Sequence, residues 1–216
     1  MEDSIEVILQ EEKFSRSPPG SQNSPTLTAL TGALLIGGYC VWRMFMLPGA
    51  RKIPIGLKVP YLPSSTAQTL SVMKLLEGRT GRLADLGSGD GRLVFATSSV
   101  GFQCTGYEIN SMLLAFSRCK AHWTGVPASQ ATFVNKDFWK ADLSSYKNVT
   151  VFLAPGVMEM LAEKLLRELA DDARVVACRF PFSQWPSHAS SGSGLDQAWA
   201  YDINTVRLKL NPRGQV

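Results

Sequence analysis

The pattern of apolar and polar residues divides the chain into an N-terminal part and a longer C-terminal part that differ in kind. Residues 1–16 are charged and mostly acidic, and residues 17–24 are rich in Ser, Pro and Gly. Such segments bury too little apolar surface to offset the entropy of ordering, so we predict that residues 1–25 are disordered. An apolar run over residues 26–47 follows, and then a basic, Pro-containing linker over residues 48–66.

The apolar run predicts a membrane anchor, because a helix that crosses the hydrocarbon core needs about 20 residues. Its one charged residue, Arg43, lies near the end, where a long side chain can reach the lipid headgroups. Tyr39 and Trp42 suit the membrane interface. A cleaved signal peptide and a buried or surface-lying helix are the alternatives, and the acidic start disfavours the first. Residues 43–58 carry basic and no acidic side chains, which favours retention of the C-terminal domain on the side of insertion.

Between residues 67 and 210, short apolar runs alternate with segments of helical periodicity. The short runs predict buried strands, and apolar residues at intervals of three or four predict helices. This alternation predicts one α/β domain with a doubly wound, mostly parallel sheet. The predicted strands are Arg82–Leu86, Phe102–Glu108, Thr132–Asp137, Val149–Ala154 and Arg174–Phe180. The predicted helices are Ala67–Glu77, Leu93–Ser99, Met112–Trp123 and Val157–Leu169.

The end of this domain is less regular. Trp199–Ile203 and Val206–Leu210 are predicted to pair as a closing hairpin, and Pro181–Gly194 to form an irregular loop. The apolar side of the predicted helix Met112–Trp123 comprises Met112, Leu113, Phe116, Cys119 and Trp123.

Composition narrows the function classes. A chain of 216 residues accommodates one α/β domain and an extension. The net charge of +4 is too small and too dispersed for a nucleic-acid-binding face. The 4 cysteines form no C-x-x-C pair, and with only 2 histidines we expect neither a metal site nor a disulfide framework.

The most informative motif is the glycine cluster between Asp85 and Gly91, which reads DLGSGDG. It follows a predicted strand and precedes a predicted helix, where open α/β sheets bind their ligands. The NAD pattern G-x-G-x-x-G would require a third glycine at Arg92, which this chain lacks. The carboxylate of Asp85 would repel a pyrophosphate, whereas it could attract the ammonium region of S-adenosylmethionine, directly or through water.

Two further acids lie at the ends of the next predicted strands. Glu108 is placed to accept hydrogen bonds from both ribose hydroxyls. Asp137 can accept a hydrogen bond from the adenine amino group while Phe138 or Trp139 packs on the ring. Each acid alone is also typical of a solvated loop. With the glycine cluster, they favour a methyltransferase that uses S-adenosylmethionine.

The order LADLGSGDG, GYEIN, KDFW is similar to the seven-β-strand class of methyltransferases. With NVTVF, DDARVVACRFPF and WAYD, the chain more closely resembles a small family of membrane-anchored mitochondrial protein-lysine methyltransferases, over residues 59–202. Members of that family modify the adenine nucleotide translocase or the c-subunit of ATP synthase. The resemblance implies a class I, Rossmann-like sheet of seven strands, S-adenosyl-L-methionine as cofactor and an integral membrane protein as substrate. It also implies a location at the inner mitochondrial membrane, and the charge bias would place the domain on the matrix side.

The resemblance also implies roles for particular residues. The loop on the methionine side of the cofactor comprises Asp85, Gly87, Ser88, Gly89 and Gly91. The ribose and adenine residues are Glu108, Asp137 and Phe138. The entrance motif, residues 59–65, would place Tyr61, Pro63 and Ser64 over the cofactor or along the lysine channel, although a simple linker and helix cap is the alternative.

The substrate side of the site is predicted from the ends of the fourth and fifth strands. Base methylases commonly carry Asn/Asp-Pro-Pro-aromatic after the fourth strand, whereas residues 153–156 read LAPG, which disfavours a base substrate. We predict that Tyr61, Pro155 and residues 179–182 orient and desolvate the target lysine. Arg179 has either a substrate role or a structural ion pair.

Between the two family substrates we favour the translocase. NVTVFLAPGV and VPYLPSSTAQT look closer to that branch, whereas DDARVVACRFPF looks closer to the branch that modifies the ATP synthase. A small-molecule methyltransferase at a membrane and a non-catalytic binding module remain alternatives.

Overall fold

The computed structural model describes residues 29–40 and 63–211. The predicted disordered segment 1–25, most of the linker and Tyr61 therefore lie outside the described residues. The chain divides into two compact units, Met1–Trp42 and Arg43–Val216.

The described part of the first unit is helix α1, residues 29–40. Nearly all of its side chains are exposed, among them Leu34, Leu35 and Ile36. Within the described ranges, no helix is both long enough and apolar enough to cross a membrane. The structure therefore does not support the transmembrane span predicted over residues 26–47, whose two ends lie outside the described residues.

The second unit contains a seven-stranded sheet with the order β3-β2-β1-β4-β5-β7-β6. Strands β1 to β5 are parallel, and β7 and β6 are antiparallel to their neighbours. The strands are β1 Arg82–Leu86, β2 Gln103–Tyr107, β3 Ala131–Val134, β4 Asn148–Val151, β5 Arg174–Cys178, β6 Ala189–Ser191 and β7 Ala198–Asp202. The remaining helices are α2 Thr66–Leu75, α3 Arg92–Ser98, α4 Ser111–Trp123, α5 Pro155–Glu168 and α6 Ile203–Leu210. This mostly parallel α/β sheet confirms the predicted fold class.

Burial on both faces of the sheet explains the continuous apolar runs of the central strands. In β1, Ala84 and Leu86 pack into one core with Val149 and Val151 of β4. Leu83 faces the opposite core, which contains residues of β2, α2, α3 and α4. Because side chains alternate between the two faces of a strand, Asp85 lies on the same face of β1 as Leu83. It is a buried acidic residue on a face that is otherwise apolar.

Side chains just before the helices explain where the helices begin. The hydroxyl of Ser65 accepts a hydrogen bond from the backbone N–H of Gln68, which caps α2. The side chain of Asn110 does the same for Met112 at the start of α4. Helix α5 begins with Pro155 at its first position, where proline has no hydrogen bond to lose.

The predicted closing hairpin is wrong. Residues 203–210 form helix α6, and Ile203 and Val206 are its buried residues, three positions apart as on one helix face. Strand β7 pairs instead with β6, which lies within the segment predicted to be an irregular loop. The alternating residues Val206, Leu208 and Leu210 resemble a strand, but Leu208 and Leu210 are exposed.

The predicted apolar side of α4 is also largely wrong. Its buried residues are Leu113, Leu114, Ser117 and Ala121. Phe116 and Trp123 are 49% and 84% exposed. The hydroxyl of Ser117 lies on this inward face, 3.0 Å from the carbonyls of Gly89 and Leu113. The buried face therefore combines small and apolar residues with a contact to the glycine cluster, and it differs from the face that the larger apolar residues predict.

Candidate active site

The glycine cluster forms a tight loop between β1 and α3. Gly87, Gly89 and Gly91 all have positive φ. At Gly91, with φ 81°, an added Cβ would lie 2.7 Å from the ring of Phe133, so both the conformation and the space require glycine. The backbone N–H groups of Gly87 and Ser88 donate to the carbonyl of Tyr107, at 2.9 and 3.0 Å. The loop is therefore fixed against the end of β2.

Asp85 lies beneath this loop and is 2% exposed. Its Oδ1 accepts a hydrogen bond of 2.7 Å from the hydroxyl of Thr150 on β4. Burial raises the pKa of Asp85 to about 7, the Thr150 hydrogen bond opposes this, and the charges of Glu108 and Asp90 add to it. A cation bound beside Asp85 would stabilise the ionised form, so the site favours a positively charged ligand.

Glu108 directly follows β2 and contacts the same loop. Its Oε2 accepts from the N–H of Gly89 at 2.9 Å, and its Oε1 accepts from the N–H of Asn110 at 2.7 Å. Burial raises the pKa of Glu108, and these backbone hydrogen bonds oppose the shift. The structure thus brings together two of the predicted acids, Asp85 and Glu108, with the glycine loop.

The third predicted acid, Asp137, follows β3 and has a local partner. Its Oδ1 accepts from the N–H of Trp139 at 3.1 Å, which caps the short 3-10 helix Phe138–Lys140. The rings of Phe138 and Trp139 are half-buried, with centroids 4.9 Å apart. Asn135 links this strand end to the previous one, because its side-chain amide donates to the carbonyl of Glu108 at 3.3 Å. The adenine role of Asp137 and Phe138 stays a prediction.

The described part of the entrance motif is tied to the glycine loop by Arg92. The guanidinium of Arg92 donates to the carbonyl of Ser64 at 2.9 Å and pairs with Asp90 at 2.7 Å. Ser64 is buried and Pro63 is exposed. The hydroxyl of Ser65 donates to Asp196, so the start of α2 also contacts the loop between β6 and β7.

The carboxyl end of β5 has an unusual conformation. Arg179 is the one described non-glycine residue with positive φ, 66°. The N–H of Phe180 donates to the carbonyl of Cys178 at 2.8 Å, so Arg179 is the centre of a strained γ-turn. The turn ends the strand two residues earlier than predicted.

The Arg179 guanidinium lies 5.8 Å from the Phe180 ring and, within the described residues, forms no ion pair with a carboxylate. The structural ion pair considered for Arg179 is therefore absent from this part of the chain. Pro155 is exposed at the neighbouring end of β4.

Four residues of the site escape the sequence interpretation, namely Thr150, Ser117, Arg92 and Asn110. Thr150 has a recognisable signal, because it is a polar residue between two valines in the strand beside β1. Ser117 and Arg92 reach the loop from helices, so that only tertiary packing reveals them.

The residues present fit S-adenosylmethionine. Within the described chain, Ser88 Oγ is the buried side-chain polar atom without a hydrogen-bond partner. It lies beside Gly106 at the end of β2, where an added Cβ would approach it to 2.6 Å. An uncompensated carboxylate at Asp85, an acid at Glu108 and a free buried hydroxyl at Ser88 match a ligand with an ammonium group and ribose hydroxyls.

This sheet order and this loop define a class I S-adenosylmethionine-dependent methyltransferase. The chain is similar to an RNA methyltransferase from Salinibacter ruber in complex with S-adenosyl-L-homocysteine, with a TM-score of 0.61 and 28% identity, covering 66% of this chain and 94% of that chain. The fold is shared with the ribosomal protein L11 methylase from Lactobacillus delbrueckii subsp. bulgaricus, with a TM-score of 0.54 and 14% identity, covering 62% and 75% of the two chains.

More specific matches identify the family. Residues 85–189 match the ANTKMT methyltransferase domain, and residues 20–54 match the ANTKMT N-terminal domain. The ATP synthase c-subunit lysine N-methyltransferase of Homo sapiens is 45% identical, covering 84% of this chain and 76% of the relative. The adenine nucleotide translocase lysine N-methyltransferase of Mus musculus is 44% identical, covering 77% and 72%. The chain belongs to this family of protein-lysine methyltransferases.

Proposed function

We propose that this protein methylates a lysine of the adenine nucleotide translocase at the inner mitochondrial membrane, with its catalytic domain facing the matrix. The observation that carries methyl transfer from S-adenosylmethionine is the pairing of buried Asp85 with Thr150 directly beside Glu108 and the glycine loop. The choice of lysine rests on relatives named for lysine methylation. The choice of translocase rests on the resemblance of NVTVFLAPGV and VPYLPSSTAQT to that branch.

On the cofactor side, S-adenosylmethionine supplies an electrophilic methyl group when bound. Asp85, Gly87, Ser88, Gly89 and Gly91 would hold its methionine end. Glu108 would bind the ribose, and Asp137 with Phe138 the adenine. Pro63 and Ser64 would cover the bound molecule, since Ser64 is tied to the loop by Arg92.

On the substrate side, the main requirement is an unprotonated lysine in line with the transferred methyl group. A positive charge nearby lowers the pKa of an amine, and so does removal from water. The guanidinium of Arg179 and the ring of Phe180 supply both effects at the end of β5. Tyr61 and Pro155 would orient the amine, and orientation alone lowers such barriers by about 7–11 kcal/mol in ideal geometry. No strong base is then required.

The strained turn supports a substrate role for Arg179. Positive φ at a non-glycine residue costs about 1–3 kcal/mol and persists where the surrounding structure enforces it. Here the N–H of Arg179 is held by the carbonyl of Gln197 at 2.8 Å. Strain of this kind is common at ligand sites, and it fixes the direction in which the side chain leaves the backbone.

We also propose that residues 26–47 anchor or target the protein to the membrane. An exposed helix with apolar residues on all sides is unfavourable in water, and α1 exposes Leu34, Leu35 and Ile36 by 76%, 70% and 66%. Alkaline extraction of mitochondria tests this proposal, since an anchored protein stays in the membrane pellet. Release into the supernatant would contradict it. Protease added to mitoplasts should spare the catalytic domain, and its cleavage would contradict the matrix orientation.

The proposed division of the chain is a disordered segment 1–25, an anchor 26–47, a linker with the entrance motif 48–66 and a methyltransferase domain 67–210. Limited proteolysis should cut within residues 1–25 and 48–62 before it cuts the domain. Early cleavage inside residues 67–210 would contradict these boundaries.

The decisive experiment is methylation of membranes from cells that lack the protein, with labelled cofactor, followed by mapping of the modified residue. The wild-type chain is compared with Asp85→Asn on the same membranes. Label on a translocase lysine supports the proposal. Label on the c-subunit of ATP synthase instead supports the alternative branch of the family. Label only in small molecules or RNA, or no label at all, contradicts lysine methylation.

A further inference from the structure

We propose that Thr150 is a positioning residue, whose hydroxyl holds Asp85 in the orientation and ionised form that bind the ammonium group of the cofactor. The proposal deepens the function proposed above and rests on it only for the identity of the ligand. Thr150 belongs to neither the glycine loop nor the acids identified by motif.

The geometry of the sheet places the two side chains together. Strands β1 and β4 are parallel neighbours, and Asp85 is in register with Thr150. Residues paired in this way point to the same face, so the hydroxyl reaches the carboxylate directly, at 2.7 Å. Both residues are essentially buried, with 2% and 0% exposure. Their contact is therefore shielded from water, and a hydrogen bond to a charged group is stronger in the protein interior than in water.

The sequence of β4 gives no structural reason for a threonine at this position. All four residues of the strand are buried, and Val149 and Val151 pack into the opposite core. The other polar residue, Asn148, has structural partners in Arg79 and Thr80. The hydroxyl of Thr150 donates instead to Asp85. A valine would fill the same space without the donor.

The surroundings of Asp85 make this donor important. In the described part of the chain, the titratable groups that act on it or respond to it are Glu108 just after β2, the Cys104 thiol from β2, Asp90 from the glycine loop and the Cys178 thiol from β5. All of them are acidic or neutral. Thr150 is therefore the neighbour that favours the carboxylate before the cofactor arrives. Its loss would leave Asp85 protonated over a wider pH range and free to rotate.

The test compares Thr150→Val, which removes the donor, with Thr150→Ser, which keeps it. Binding of S-adenosylmethionine and of S-adenosylhomocysteine to the full chain is measured by calorimetry between pH 6 and pH 9. Wild-type affinity should rise with pH through about 7 as Asp85 ionises. Thr150→Val should bind both ligands about tenfold or more weakly at pH 7, and its affinity should rise at a higher pH. Thr150→Ser should stay within about threefold of wild type, with an unchanged pH midpoint.

Equal affinity and an equal pH midpoint in Thr150→Val would overturn the proposal. So would a loss in Thr150→Ser as large as in Thr150→Val, because shape and not the donor would then matter. Thermal unfolding of each ligand-free variant establishes that it is folded. If Thr150→Val fails to fold, Thr150→Cys provides a weak donor of similar size and should give an intermediate affinity. Cofactor binding does not depend on the protein substrate, so a failure to methylate the translocase would refute the proposed function and leave this result intact.

Discussion

Two aspartates of the same sheet, Asp85 and Asp202, lie in opposite electrostatic environments. Asp202 ends β7 opposite Arg174, the first residue of β5. Its oxygens accept from the Arg174 guanidinium at 2.7 and 3.0 Å, and His188 lies 3.2 Å away. Asp85 lies at the other end of the parallel strands, with the neutral donor Thr150 and other acids nearby. Within residues 29–40 and 63–211, Asp202 has a cation partner and Asp85 has none.

The pKa values of the two groups move in opposite directions for this reason. Burial raises the pKa of Asp202, but the hydrogen bond and charge of Arg174 outweigh it and leave the pKa lowered. Burial dominates at Asp85 and raises its pKa to about 7. We propose that Asp202, which has a cation partner, is a structural acid, and that Asp85, which has none among the described residues, is an acid whose charge a ligand balances.

The largest expected effect is that of Asp85→Asn on cofactor binding. The neutral amide keeps the shape and the hydrogen bond from Thr150 but cannot balance an ammonium group. We expect affinity for S-adenosylmethionine to fall about 100-fold or more at pH 8, as measured by calorimetry. Unchanged affinity would mean that Asp85 is a structural acid like Asp202.

The same variant should also change the stability of the ligand-free protein. Because the pKa of Asp85 is raised on folding, the folded state binds a proton more tightly than the unfolded state, and stability falls as pH rises from about 4 to about 7. In Asp85→Asn the side chain at this position does not titrate, so this part of the pH dependence of stability is lost. The variant should be more stable than wild type at pH 8, by about 2–4 kcal/mol. Urea denaturation at pH 5 and pH 8 measures the difference, and equal variants at pH 8 would contradict the assignment.

The next effect concerns the loop above Asp85. In Gly91→Ala, a Cβ would meet Phe133 at 2.7 Å in addition to the strain of positive φ. Gly125→Ala is the matched control, because Gly125 has φ 68° but nothing within 4 Å of an added Cβ. We expect Gly125→Ala to lose about 1 kcal/mol of stability and to keep its cofactor affinity. Gly91→Ala should lose about 2–4 kcal/mol and bind the cofactor at least about tenfold more weakly. Equal losses in both variants would show that strain alone acts at Gly91.

The sequence predicts the functional region of the domain more fully than its periphery. The glycine cluster and Glu108 follow from local patterns, because a parallel sheet brings the ends of its strands together. Thr150 is locally visible as a polar residue between two valines, but its partner Asp85 follows only from strand pairing. Ser117 contributes through packing, which no local pattern encodes. The strand pattern of residues 206–210 misleads because alternation over five residues is too short to distinguish a strand from a helix, and in the helix Val206 is buried while Leu208 and Leu210 are exposed. The predicted orientation of α4 is wrong because its inward face contains Leu113, Leu114, Ser117 and Ala121, whereas the larger Phe116 and Trp123 are exposed.

The two arginines of the β5 region differ in the same way as the two aspartates. Arg174 pairs with Asp202, whereas Arg179 has no carboxylate partner among the described residues. Arg179→Gly removes both the charge and the strain of positive φ, so we expect a stability gain of about 1 kcal/mol or less. We also expect kcat/KM for the membrane substrate to fall about tenfold, with cofactor affinity unchanged. Arg179→Lys keeps a positive charge, which lowers the pKa of the target lysine, and should therefore retain more activity than Arg179→Gly. In a plot of activity against pH, the rise should occur at lower pH for Arg179→Lys than for Arg179→Gly. Loss of cofactor binding in Arg179→Gly would place the residue on the cofactor side and contradict the proposed role.

The smallest effect on activity is expected at Asp202, although the residue forms more hydrogen bonds than Asp85. Asp202→Asn leaves Arg174 without its carboxylate and should reduce stability at pH 7 by about 1–2 kcal/mol, a figure discounted for partial solvent screening. The pKa of Asp202 is lowered on folding, so its carboxylate contributes to folding stability at pH values above the ordinary pKa of an aspartate. This contribution disappears as the pH falls through the lowered pKa of the folded state. Asp202→Asn should therefore approach the wild-type stability in acid, as measured by urea denaturation between pH 3 and pH 7. Cofactor affinity should be unchanged, because Asp202 lies at the end of the parallel strands opposite the glycine loop. A loss of affinity comparable to that of Asp85→Asn, in a protein that remains folded, would remove the distinction between the two acids.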